Sequence, residues 1–296
     1  MTADTPVRSS PAARAAAILD NIRHGLGALV RRPRYLHRDP ESGAGQPAHN
    51  GATAPLAPAW RRLEWQVTIA VAAGAVALAM WLLDAPLSAA ATRLPEWVIN
   101  DAFVVSDFGL SGWILVPAGI PLVLMTLLAT PALDSMSRAV IAMVAVRLGF
   151  VFVAVGLPGL VGTIVKRWIG RARPSAAGPF SYEPLSWRPE YASLPSGHAT
   201  TAFAALVAIG ALCPRLRPLL WVYALAIAAS RVMVSAHYPS DVIAGAAFGA
   251  FGAILVRDWF AVRRLGFYVG RDGGVRTMTA PPLRRIVRVA ARLIAT

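Results

Sequence analysis

Apolar residues gather into six long runs, at about 65–83, 112–130, 139–163, 198–213, 218–236 and 241–256. Each is near the roughly 20 residues that a helix needs to cross the hydrocarbon core of a bilayer. The runs at 198–213 and 241–256 are short, so they are expected to extend into neighbouring residues or to tilt little. The pattern therefore predicts an all-α, polytopic membrane helical bundle with six transmembrane helices. Outside the runs the periodicity changes. Ile18, Ile22, Leu26 and Leu29 recur at helical spacing among Arg23, Arg31 and Arg32, while residues 38–58 show no apolar period and read as disordered. Beyond residue 257, Leu283, Ile286, Val287, Ala290, Leu293 and Ile294 form one stripe against Arg284, Arg285, Arg288 and Arg292. Three regions follow: a disordered and amphipathic tail over 1–60, a six-helix membrane domain over 61–260, and a basic amphipathic tail over 261–296. A small hairpin turning at Asp272, Gly273 and Gly274 is expected between the membrane domain and the last helix.

Composition agrees with a membrane setting, because 56% of the 296 residues are hydrophobic and only 15% are charged. The formal net charge of +14 is concentrated in the two flanks. Arg-rich segments beside membrane spans are what the positive-inside bias produces, so the anionic cytoplasmic leaflet, and not nucleic acid, is the expected partner of both tails. Both termini are then cytoplasmic, which an even number of spans allows. No uninterrupted apolar core precedes residue 65, so no cleaved secretory signal is expected. The single cysteine, Cys213, excludes an intramolecular disulfide.

With six spans, the acidic segment 84–111 (Asp84, Glu96, Asp101 and Asp107 against Arg93) is an outer loop, and 131–138 and the Arg215/Arg217 turn lie inside. Segment 164–197 falls outside yet carries Lys166, Arg167, Arg171, Arg173 and Arg188 against Glu183 and Glu190. A positive cluster on that side calls for an anion. Asp101, Asp107 and Gly109 are read as a solvated loop rather than as a cover over a site. Arg147, inside the third run, either snorkels to the cytoplasmic edge or makes a functional polar contact.

Two scarcities point to chemistry. Of 29 basic residues, Lys166 is the one lysine, a rotatable point charge where arginine would present a planar fork. Of five histidines, only His198 and His237 lie in the membrane body, each at an expected outer helix end and each in a polar cluster suited to acid–base or nucleophilic work. The clusters are Lys166 with Arg173-Pro174 (KRWIGRARP), Pro195-Ser196-Gly197-His198 (PSGH), and Ser230-Arg231 with His237 and Asp241 (SRVMVSAHYPSD).

These segments resemble the three signatures of the type 2 phosphatidic acid phosphatase superfamily, K-x6-RP, PSGH and SR-x5-H-x3-D, in order and with every signature residue present. The resemblance covers residues 166–241. It implies a membrane lipid phosphate phosphatase in which His237 is the nucleophile, Asp241 orients it, and His198 protonates the leaving oxygen and later activates water. The residues themselves fit this chemistry. Lys166, Arg173 and Arg231 are cationic donors, and Ser196, Gly197 and His198 open a helix whose free N–H groups can meet the same anion. A carboxylate at Asp241 can hold one imidazole nitrogen while the other attacks phosphorus, although spacing alone does not say which histidine attacks. No set with metal-ligand spacing stands beside them, so neither a metal nor another cofactor is expected.

The same residues would also serve a phosphotransferase that discharges its phosphohistidine to a lipid or sugar hydroxyl. A non-enzymatic phospholipid-binding or transport protein could use a basic pocket without the His237–Asp241 pair, and the related vanadate haloperoxidases perform soluble chemistry. Phosphatidic acid, phosphatidylglycerol phosphate, undecaprenyl pyrophosphate and lipid A type phosphates all remain open as substrates. The expected place is a bacterial-type inner membrane with the site at its outer face.

Overall fold

The computed structural model describes residues 59–128, 133–270 and 273–294. The expectations for the N-terminal tail lie outside the described residues. Helices α1 (Ala59–Leu82), α2 (Asp84–Ala91), α3 (Glu96–Asp107), α4 (Gly112–Leu128) and α5 (Ser135–Ile169) are followed by a long loop. Then come α6 (Gly197–Leu212), α7 (Arg217–Met233), α8 (Pro239–Val262), strands β1 (Phe267–Val269) and β2 (Val275–Thr277), and α9 (Leu283–Ile294). Five stretches are long and apolar enough to cross a membrane: 64–82, 96–127, 135–169, 214–233 and 239–262. The protein is a multi-pass membrane protein of mostly helical structure. The run at 241–256 does lengthen, to Pro239–Val262, but that at 198–213 stays a 16-residue helix. At 1.5 Å per residue this is about 24 Å, short of a hydrocarbon core of roughly 30 Å.

One expectation is overturned at the first connection. Residues 84–111 are not an open loop but two helices, α2 and α3, and the second continues through a turn into α4 as one apolar stretch. The charges that suggested a loop are too few to interrupt it: the apolar residues Trp97, Phe103, Val104 and Val105 are exposed along α3.

The chain divides into two compact units, one of residues 53–118 and 149–260, the other holding 119–148 and 261 onward among its segments. Within the first, α6 packs on α7 through Ala202, Leu206, Ala224 and Ile227, with Phe203, Leu220 and Tyr223 around them. Helix α8 approaches α6 and α5 through glycines. A Cβ on Gly245 would overlap the Ser196 carbonyl, one on Gly249 the Thr200 carbonyl, and one on Gly252 would stand 2.5 Å from the Pro158 ring. Small residues at such a seam let backbones meet in a membrane, where lipid removes the usual hydrophobic drive for helix association. This seam fixes the first turn of α6 against α8. Pro158 sits inside α5, as membrane helices allow when neighbours satisfy the freed backbone.

Within the second unit, β1 and β2 pair antiparallel with Phe267 opposite Thr277, the small hairpin that its turn residues predict. Arg147, for which snorkelling or a functional polar contact was expected, makes a polar contact within this unit. Its guanidinium donates to the carbonyls of Met143 at 2.9 Å, Met278 at 2.8 Å and Thr279 at 3.0 Å, tying the segment after β2 to α5. Helix α9 forms, but among the described residues of its expected apolar stripe only Ile286 is half-buried, with Leu283, Val287 and Ala290 exposed, whereas the buried residue is Val289, outside that stripe.

Candidate active site

Four helix ends, one long loop and the α7–α8 turn that carries His237 build the site. Lys166 stands in the last turn of α5, Ser196, Gly197 and His198 at the start of α6, Arg231 in the last turn of α7, and Asp241 in the first turn of α8. The loop from 170 to 196 brings Arg173. Its path is set at Gly170, whose φ of +61° is the left-handed conformation that glycine adopts without penalty and whose missing Cβ leaves room for the Glu183 carbonyl. From there Ala172 N–H donates to Ser181, Glu183 N–H to Gly170 and Arg173 N–H to Glu190, folding the loop on itself. Ser196 N–H then donates to the Asp241 carbonyl at 3.0 Å, joining the α6 start to the α8 start.

All eight residues picked out in the sequence are thus brought together. Ser196, Arg231, His237 and Asp241 are buried, and Lys166, Arg173 and His198 are half-buried. A Cβ on Gly197 would stand 3.3 Å from Lys166 Nζ, so the glycine keeps the ammonium close to the helix start. The charges of Arg231, Arg173 and Lys166 act on His237, as does His198. Burial first, and then these cations, hold the His237 imidazole well below the ordinary histidine range, so the ring is neutral at physiological pH. Burial likewise draws Arg173 downward.

The polar accounting shows what the cluster lacks. Arg173 Nε, Arg231 Nε, Ser196 Oγ and His237 Nδ1 are buried with no hydrogen-bond partner, four of the five such side-chain atoms among the described residues. Buried polar groups are nearly always satisfied, and leaving a donor unpaired costs on the order of 1–3 kcal/mol. Ser196 occupies the N-cap position of α6, yet its hydroxyl makes no capping bond. Three donors from three elements are therefore held free of protein acceptors around a neutral imidazole, as binding of a multi-oxygen anion requires.

The His237–Asp241 hydrogen bond expected of an orienting carboxylate is not made. Nδ1 and Oδ2 are 3.9 Å apart. The carboxylate is engaged elsewhere: Oδ1 accepts from Arg171 Nη1 at 2.6 Å, and Oδ2 from Ser193 Oγ at 2.6 Å and Tyr238 N–H at 2.9 Å. Arg171 was legible only as one more charge of the loop. It is fully buried, its guanidinium lies 4.5 Å from the Tyr238 ring centroid, and it also pairs with Asp84 at 2.6 Å. Asp84, counted in the sequence among the charges of an outer acidic loop, is likewise fully buried. The available signals were an arginine inside the spacer of K-x6-RP and a carboxylate at the end of an apolar run. Removing one member of such a buried pair costs on the order of 3–5 kcal/mol.

Asp101 and Asp107 are exposed, as a solvated loop would have them, but the same reading of Gly109 is corrected. Ser106 is buried and its hydroxyl accepts from Arg231 Nη1, while a Cβ on Gly109 would stand 2.7 Å from Ile227 and 2.9 Å from the His198 ring. The α3–α4 turn therefore packs on the site, and glycine is what admits the imidazole edge. Among the described residues no group of three or more His, Cys, Asp or Glu side chains is placed to hold a metal ion.

Cationic donors and two histidines collected at the ends of apolar helices define a membrane protein with a site suited to an oxyanion. A family model described as the PAP2 superfamily matches residues 147–265. The chain is 36% identical over 242 residues to a lipid A 1-phosphatase of Rhizobium johnstonii, covering 78% of this chain and 96% of that one. It is 37% identical over 215 residues to a lipid A 1-phosphatase of Rhizobium etli, covering 71% and 91%. The chain belongs to the PAP2 superfamily. A solved structure, the PAP2 type phosphatidylglycerolphosphate phosphatase from Bacillus subtilis, is similar at 21% identity and a TM-score of 0.47, over 66% of this chain and 92% of that one.

Proposed function

We propose that the protein removes a phosphate from the sugar headgroup of a lipid A type glycolipid, through a phosphohistidine on His237 and without a metal ion. The observation that carries the chemistry is the set of unpartnered buried donors around a neutral His237. The substrate follows the two rhizobial relatives, which this chain matches over nearly their whole length.

In this mechanism Lys166, Arg173 and Arg231, with the Ser196 hydroxyl and the first-turn N–H groups of α6, take the phosphoryl oxygens. His237 Nε2 attacks phosphorus, and the bond from phosphorus to the sugar oxygen breaks. His198, whose pKa burial and the charges of Arg231, Lys166 and Arg173 draw down to about 4, takes a proton from the bound phosphate monoester and gives it to that leaving oxygen. It then takes a proton from water, the resulting hydroxide attacks the phosphohistidine, and inorganic phosphate leaves as His237 is restored. Asp241 stabilises the positive imidazole during transfer. The cations already balance the anion, so no Lewis acid is called for.

The site would face the periplasm of a bacterial inner membrane, with both basic tails on the anionic cytoplasmic leaflet. Exposed Leu283 and Val287 beside Arg284, Arg285 and Arg288 suit α9 to that surface.

The test is phosphate release by the purified full chain from lipid A, phosphatidic acid, phosphatidylglycerol phosphate and undecaprenyl pyrophosphate, with and without chelator. Lipid A should turn over fastest and EDTA should change nothing. His237→Ala should lose on the order of 10³-fold or more. Preference for another lipid overturns the substrate, loss with EDTA restored by a divalent ion overturns the metal-free chemistry, and wild-type turnover in His237→Ala overturns the mechanism. Transfer of phosphate to a hydroxyl acceptor instead of water would make the enzyme a phosphotransferase.

A further inference from the structure

Arg171 does not belong with the phosphate ligands. Its Nε and Nη2 both donate to the Pro179 carbonyl, at 3.0 and 2.9 Å. Nη1 donates to Ser240 Oγ at 2.7 Å and to Asp241 Oδ1 at 2.6 Å, and Nη2 reaches Asp84 Oδ2 at 2.6 Å. Every nitrogen of the fork is thus committed to the protein, in contrast to Arg173 and Arg231, whose Nε atoms have no partner. Asp84 is equally committed, with Oδ1 on Ser240 N–H at 2.9 Å and Oδ2 on Ser240 Oγ at 2.6 Å. Two carboxylates therefore share one guanidinium, all three groups being fully buried.

Sharing has an electrostatic consequence. In a dry interior, a carboxylate bound by a full guanidinium charge has little negative potential left for a neighbour. Asp241 is the carboxylate nearest His237, and its service in the mechanism above is to stabilise positive charge on that imidazole. Asp84 draws part of the Arg171 charge to itself. We infer that Arg171 is a positioning residue that fixes where the Asp241 carboxylate stands relative to His237, and that Asp84, on α2 and outside all three signatures, keeps that carboxylate negative enough to act. The inference rests on the phosphohistidine reading.

A brace between α2, the loop and α8 would need the same bonds, so the experiment separates rate from stability. Arg171→Gln, Asp84→Asn and the double variant are purified as full chains, and melting temperature, kcat, KM and the rate of phosphoenzyme formation are measured. The double variant removes one positive and one negative charge together, leaving the local formal charge unchanged. Both single variants should melt lower and the double should recover. In the double variant kcat and phosphoenzyme formation should still fall about 10- to 100-fold, the scale of a catalytic group displaced by about 1 Å, with KM within about twofold. Asp84→Asn, which keeps the side-chain shape and the Arg171–Asp241 pair, should also lose kcat and not KM. Wild-type kcat in any of these variants that retains its melting temperature would reduce the triad to a brace. A rise in KM at constant kcat would place Arg171 on the substrate, and would equally overturn the inference. His237→Ala, assayed beside them, keeps the two ideas apart: activity in that variant defeats the nucleophile itself, whatever Arg171 does.

Discussion

His237 Nδ1 stands 3.9 Å from Asp241 Oδ2, within ion-pair range and too far for a hydrogen bond. A movement of about 1 Å would close the gap to ordinary bonding distance, and catalytic hydrogen bonds commonly tighten only once substrate is bound. Asp241 is anchored through three partners, whereas His237 Nδ1 has none, so the imidazole is the partner freer to move. Pulling of the phosphoryl group on Nε2 would bring that movement about.

The burial and surrounding cations of His237 predict its acid limb. A nucleophilic imidazole must be neutral, and this one is held well below the ordinary value of about 6.5. Phosphoenzyme formation, measured in single turnovers of His198→Ala with substrates of different leaving group, should show no enzyme-derived acid limb near pH 6.5. Any limb near pH 6 should instead move with the substrate phosphate, whose second ionisation lies close to that pH. A limb at about 6.5 common to all substrates would show an ordinary, solvated histidine. Stability follows the same sign: the unfolded chain protonates this histidine first, so its contribution to folding is present above about 6.5 and is lost as pH falls from there toward the lower folded value.

Three of the site residues were legible because each is a rare residue type in an apolar context. Lys166, His198 and His237 stand out against arginine-rich flanks and aliphatic helices, and their placement at helix ends followed from the apolar runs. The support behind them was not legible. Asp84 meets Arg171 across 87 positions and Ser240 across 156, pairings that no local pattern encodes. The burial of Asp84 could not be read from charge counting, because a buried carboxylate with a partner and an exposed one look alike in sequence. Ser106 and Gly109 escaped for a related reason: a serine and a glycine beside Asp107 read as turn chemistry, yet they admit Arg231 and His198. The expected His237–Asp241 bond is missing because Arg171 and Ser193, whose positions no local pattern encodes, take the carboxylate instead.

The glycine seam predicts opposite outcomes for one substitution at two helical sites. Gly249→Ala places a Cβ against the Thr200 carbonyl, one turn past Ser196, and must push α6 and α8 apart. Overpacking of this kind costs about 1–3 kcal/mol or more, and it should lower the melting temperature and displace Ser196 enough to reduce kcat. Gly159→Ala on α5 meets nothing within 4 Å and should be neutral or stabilising by up to about 1 kcal/mol, as alanine is favoured within helices. Thermal unfolding of the two variants in the same detergent checks the pair. Equal melting temperatures would mean that α8 does not depend on close approach.

Topology gives the last prediction, and the native cysteine is its first reporter. Catalytic groups lie at the N-terminal end of α6, and exposed Cys213 follows its C-terminal end, about 24 Å along the axis. The adjoining turn carries Arg215 and Arg217, which the positive-inside bias keeps in the cytoplasm. Cys213 should therefore resist an impermeant thiol reagent in intact spheroplasts and react once they are permeabilised. The opposite face needs an introduced cysteine. Gly178 is exposed, with nothing within 4 Å of an added Cβ, so Gly178→Cys in a Cys213→Ala background should be labelled without permeabilisation. Ser135→Cys, exposed at the start of α5, should behave like Cys213, whereas neighbouring Ser137 is buried against Asp134 and would report nothing. Labelling of Cys213 and Ser135→Cys from outside, with Gly178→Cys protected, would turn the site toward the cytoplasm. The loop charges Arg167, Arg171, Arg173 and Arg188 would then follow the ordinary bias, and the substrate would have to come from the inner leaflet.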